Sequence, residues 1–190
     1  MNKLIVPALL VSLVTCSTIL FAATESSINT ANIPFDGRDW IAGHHDANEY
    51  QTTTEYVPQG QTVDNWTELV TVSEFFGIQD KTTAEQMMSD MLQIAQENCS
   101  GVKKNLIQSL TDGVIFEWET TGCKVEIPGA NAPEFDISRI IFTKDRVFMM
   151  QYASKTRPTA EKREQWIKIL ASSVFSGTDE FTKFQKEIAK

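Results

Sequence analysis

The stretch Thr67–Asn98, TELVTVSEFFGIQDKTTAEQMMSDMLQIAQEN, changes its period partway along and thereby decides the fold. In its first ten residues Leu69, Thr71, Ser73 and Phe75 alternate with Val70, Val72, Glu74 and Phe76, so neither face is simply polar. Such a segment reads as a strand near the middle of a sheet covered on both sides. From Thr82 the spacing becomes helical, with Ala84, Met88, Met91 and Ala95 on one stripe beside Met87, Leu92 and Ile94. Thr82 followed three residues later by Glu85 has the form of a capping box, which starts the helix at Thr82 or Thr83 and carries it to about Asn98. Its methionines read as core filler rather than as a soft-metal surface.

Upstream, Thr, Val, Tyr and Trp dominate, and the breaks at Asp46-Ala47-Asn48 and Pro58-Gln59-Gly60-Gln61 give extended segments of about Asp39 to His45 and Glu49 to Val57 before Thr67 to Phe76. Downstream, strands return. Val114 to Thr120 alternates, Gly122 allows a turn into Cys123 to Ile127, and Phe135–Thr143 with Arg146–Ala153 reads as a hairpin around Lys144-Asp145. Pro158-Thr159 then opens a helix from Ala160 to about Phe175. It carries Trp166, Ile169, Leu170, Ser173 and Val174 on one side and Glu161, Lys162, Arg163 and Lys168 on the other. Gly177 stops it, and a short terminal helix follows from Asp179 to Ala189 with Phe181, Phe184 and Ile188 on one stripe. The order strands, helix, strands, helix, helix argues a single α+β domain over residues 33–190, a mostly antiparallel sheet packed with two main helices and a short C-terminal helix.

The first 23 residues read as a secretory signal, with Lys3 as the charged start, an apolar run from Leu4 to Val14 and Ala22-Ala23 as the small-residue exit. The run is short of the roughly 20 apolar residues of a membrane span, and no later stretch reaches that length. Residues 24–32 read as a flexible leader. The expected location is therefore periplasmic or secreted. The alternative is a lipoprotein acylated at Cys16, within the degenerate lipobox Leu13-Val14-Thr15-Cys16. Beyond the signal two cysteines remain, Cys99 and Cys123, which in an oxidising compartment read as one structural disulfide. The net charge of −8 argues against nucleic acid or an anionic membrane as a partner.

Two stretches could carry chemistry. His44 and His45 lie in Gly43-His44-His45-Asp46, but in a strand they point to opposite faces and cannot share an ion, so no metal is expected. The segment Tyr56 to Glu68 reads as a rigid turn with an aromatic plug. Its Asp64, Asn65, Trp66 and Glu68, with His44, are the candidate lining of a ligand cleft. No GxSxG elbow, P-loop, GxGxxG or HExxH motif is present, and no cofactor is implied.

Trp40, Gly43-His44, Tyr56, Pro58, Gly60-Gln61 and Asp64-Asn65-Trp66-Thr67-Glu68, with two later cysteines and Trp166 in a closing helix, form a pattern. It resembles a set of small exported bacterial proteins that lack an assigned activity. The order of strands and helices is also similar to that of the Mog1/PsbP-like domains, α/β sandwiches on an antiparallel sheet, which implies an accessory or binding role and assigns no residue to it. The expected function is an exported binding or accessory protein whose partner is a protein or a small envelope ligand. The alternative is a small hydrolase of the cell envelope using carboxylates such as Asp64 and Glu68, with His44 or His45 assisting.

Overall fold

The computed structural model describes residues 31–33, 35–124 and 133–175. The segment expected to be a signal, most of the expected leader and the terminal helix expected at Asp179–Ala189 lie outside the described residues. The elements in chain order are β1 (Ala31–Asn32), β2 (Trp40–Ala47), β3 (Gln51–Pro58), β4 (Glu68–Phe76), α1 (Ala84–Asn98), β5 (Cys99–Leu110), β6 (Gly113–Cys123), β7 (Glu134–Phe142), β8 (Arg146–Ser154), α2 (Ala160–Ser172) and β9 (Val174–Phe175). Seven strands form one antiparallel sheet in the order β2-β3-β4-β8-β7-β6-β5. Two meanders, β2-β3-β4 and β5-β6-β7-β8, meet at the β4–β8 seam, and α1 carries the chain from that seam to the far edge. The class is α+β. Among the described residues no helix is long and apolar enough to cross a membrane.

The alternation in β4 places Val70 on one face and Leu69 on the other, and both are buried, as a central strand requires. On the first face α2 sets Trp166, Ile169 and Leu170 against Val70, Ile115, Ile137, Phe148, Met150 and Tyr152. Each fully buried side chain of this size contributes about 1.5–3 kcal/mol of apolar transfer. On the second face Ala84, Met87, Met88 and Met91 of α1 pack on Val114, Phe116, Ile140 and Val147. A smaller cluster there joins Val57, Leu69 and Ala153 to Val63 and Trp66 of the Gln59–Thr67 connection.

The α1 cap is Thr83, one of the two expected starts, and its hydroxyl accepts from Gln86 N. Other local expectations are corrected. Ile94 is exposed rather than on the core stripe. Residues 99–110 form a strand that the spacing did not announce, and β6 continues through Gly122, whose φ of +61° stays within the ladder instead of turning the chain. Helix α2 stops at Ser172 and not near Phe175. Ser173 Oγ and N both donate to Ile169 O, and the Arg139 guanidinium donates to the carbonyls of Leu170, Ala171 and Ser173. A buried cation thus satisfies the helix end, and Val174–Phe175 become free to pair with Ala31–Asn32. Cys99 and Cys123 face each other across β5 and β6 and form a disulfide, so the bond closes the hairpin at the point where α1 ends.

Candidate functional site

Glu68 opens β4 on the face covered by α2, one residue before the buried Leu69. Its carboxylate collects donors from three separate parts of the chain. Arg38 Nη1 reaches Oε2 at 2.5 Å, while Lys162 Nζ of α2 and Tyr152 Oη of β8 both reach Oε1 at 2.5 Å. Behind it Asp36 accepts from Arg38 Nε at 2.8 Å and from Trp40 Nε1 at 2.9 Å, with Lys162 at 3.9 Å. Burial alone raises the pKa of Glu68, but the hydrogen bonds from Arg38, Lys162 and Tyr152 outweigh it and hold the group below the usual glutamate value. Asp36 is lowered in the same way, with Arg38 and Trp40 overcoming burial. The Tyr152 hydroxyl moves up, first by burial and then by the adjacent Glu68.

Around this network lies a pocket of about 290 Å³ between the Glu68 end of β4, the Ser154 end of β8 and the first turn of α2. Tyr152, Ser154 and Glu68 line it with Thr156, Arg157 and Lys162. Tyr152 also stacks on Trp166 at 4.2 Å between ring centroids, and Trp166 meets Trp40 edge-on at 5.6 Å. An aromatic block therefore fixes the pocket wall from beneath.

The candidate residues taken from the sequence do not gather here. Glu68 alone lines the pocket. Trp66 packs with Val63 over Val57, Leu69 and Ala153 on the other face of the sheet, under the Lys155 ammonium at 3.9 Å. Asp64 and Asn65 are exposed in a turn closed by Asn65 N donating to Thr62 O at 3.0 Å. His44 is exposed on the edge strand opposite Glu55, on the face away from Tyr56, and His45 Nδ1 lies 2.9 Å from Thr54 Oγ1. A hydrolytic set of Glu68 with His44 is not assembled, because the two side chains occupy opposite faces of the sheet. Gly43 has a packing reason: a Cβ there would come within 2.9 Å of Val63 Cγ1, so the glycine lets the connection lie on β2. Among the described residues no three His, Cys, Asp or Glu side chains converge on a possible ion position.

Arg38, Tyr152, Lys162 and Arg157 carry no local motif and escaped the sequence reading. Lys162 and Arg163 were expected on the solvent side of α2, but Lys162 turns to Glu68 and Arg163 Nε pairs with Glu117 at 2.6 Å. Tyr152 was hidden in an apolar strand. A second polar group, also unannounced, lies on the α1 face: Asp136, 3 % exposed, accepts from Gln151 Nε2 at 2.7 Å, next to the fully buried Ser138. Burial first, and Glu134 second, raise the Asp136 pKa well above the carboxylate norm.

Residues 28–185 match the model of a family of uncharacterised proteins, and the chain belongs to that family. A search of curated proteins finds no match.

Proposed function

We propose that the chain is an exported binding protein, working in the periplasm or outside the cell as an accessory or interaction module, and that it takes a small ligand in the pocket beside Glu68. The observation that carries this reading is a single carboxylate gripped by Arg38, Lys162 and Tyr152 at the wall of a pocket of about 290 Å³. That size lies at the lower end of small-molecule sites, which run from about 300 to 1,000 Å³. Donors delivered from three separate parts of the chain and braced by stacked aromatics form a preorganised wall, the arrangement that spares a binding site its ordering cost. The same electrostatics disfavour hydrolysis at this place. The hydrogen bonds from Arg38, Lys162 and Tyr152 weaken Glu68 as a base, and burial beside Glu68 makes Tyr152 hold its proton more firmly. Export is supported by the Met1–Ala23 segment and by the Cys99–Cys123 bond.

Native mass spectrometry of the protein exported by its own host, unreduced, tests the reading. The expected spectrum lacks the signal, is two protons light for the disulfide, and shows a retained small molecule that is absent from Tyr152→Phe and Glu68→Gln. A bare mass from wild type, together with a protein partner cross-linked through another face, would overturn the pocket as the contact.

A further inference from the structure

The pocket lining is electrostatically at odds with the rest of the chain. The molecule carries 25 acidic against 17 basic residues, yet the lining holds two cations, Arg157 and Lys162, and one carboxylate, Glu68. That carboxylate is already committed, since both its oxygens accept from donors at 2.5 Å. Arg157 binds Glu119 through Nη2 and lies over the Phe135 ring at 4.7 Å, with its side chain 65 % exposed at the pocket rim. The Lys162 side chain is 30 % exposed, and its ammonium has a second acid, Asp36, no nearer than 3.9 Å. The remaining lining is rich in hydroxyls, from Thr67, Tyr152, Ser154, Thr156 and Thr159. Spare charged donors beside hydroxyls complement a ligand rich in acceptors.

We infer that the pocket selects a small, hydroxylated carboxylate, such as a sugar acid, with the carboxylate held between Arg157 and Lys162 and the hydroxyls against Tyr152 and the threonine rim. This rests on the proposal that the pocket is the binding site and adds the charge of what enters it. A neutral sugar of the same size brings no counter-charge to the two cations beyond what Glu68 and Glu119 already supply, and an amine meets them with like charge. Because the two contacts are partly exposed, affinity falls as salt rises.

The test is amide chemical-shift mapping of the full mature chain with four probes, D-glucuronate, acetate, D-glucose and D-glucosamine, each raised to about 10 mM, the weak end of specific affinity. Glucuronate is expected to move the signals of Ser154, Thr156 and Lys162 saturably, acetate to do so more weakly, and glucose and glucosamine to leave them in place. Arg157→Gln, at a side chain 65 % exposed, and Lys162→Gln are each expected to weaken glucuronate about tenfold, the loss of one charge-assisted contact. Equal response to glucose overturns the anion assignment and leaves the pocket standing. So does anion binding that neither variant changes. Silence of these residues toward all four probes overturns the pocket reading as well.

Discussion

Two acids show how placement alone sends one residue type in opposite directions. Glu68 is wired to cations and stays ionised, whereas Asp136 is buried beside Glu134, with Gln151 donating to its carboxyl and the Lys155 ammonium as the opposing charge. The folded chain therefore keeps a proton on Asp136 that the unfolded chain releases near pH 4. Stability is fullest below that pH and declines as pH rises from there toward the folded pKa, where the decline ends. Asp136→Asn removes the titration and leaves an oxygen for Gln151. The variant is expected to match wild type near pH 4 and to be the more stable of the two at pH 7. Urea unfolding at both pH values decides it, since an offset independent of pH would mean that Asp136 titrates alike in both states. None of this was legible in the sequence. A lone Asp in Phe135-Asp136-Ile137-Ser138 carries no sign of its depth, which is set by the strands on either side and by α1 above.

At the level of elements, the long, strongly periodic segments were readable and the weakly patterned ones were not. Strand β4 and helix α1 alternate and repeat clearly. Strand β5 mixes Lys103, Lys104, Asn105 and Gln108 with Val102, Leu106 and Ile107, because it is an edge strand whose register shifts between Leu106 and Gln108, which breaks the period of two. Its hold on the sheet comes from β6 and from the Cys99–Cys123 bond. Closing a loop of sequence separation 24 removes denatured-state entropy worth roughly 3 kcal/mol in the chain-entropy model. The double substitution Cys99→Ala, Cys123→Ala is expected to lower unfolding free energy by about that amount while keeping the fold, as measured by guanidinium denaturation against oxidised and reduced wild type. The end of α2 rests instead on Arg139, 6 % exposed, whose guanidinium also pairs with Asp112 at 3.0 Å. Arg139→Met would leave the Leu170, Ala171 and Ser173 carbonyls without that donor, at a cost of about 3–5 kcal/mol. Thermal unfolding together with loss of the β1–β9 pairing, seen by hydrogen exchange, measures it.

For the whole molecule, the α+β class and the antiparallel sheet followed from the order of periods along the chain. The strand order did not, because nothing local says that β4 takes β8 as its neighbour. That seam, with Val70 opposite Tyr152 and Val72 opposite Met150, lies at the sheet centre with both faces covered, whereas β2 and β5 are edges. Amide exchange is expected to be slowest in β4, β7 and β8, at the free energy of global unfolding, and faster by orders of magnitude in β2. Exchange that is uniform across all seven strands would contradict a core centred on the seam. The same seam explains why little of the candidate site was legible: Glu68 was visible as a turn-end acid, but its partners Tyr152 and Lys162 come from far along the chain. The topology also sets a clock. Strand β4 waits for β8, and Ala31–Asn32 wait for Val174–Phe175, so a polypeptide emerging amino terminus first has no route to its closed form until β8 and β9 have been synthesised. Such delayed closure keeps the nascent chain threadable, as the proposed export would require.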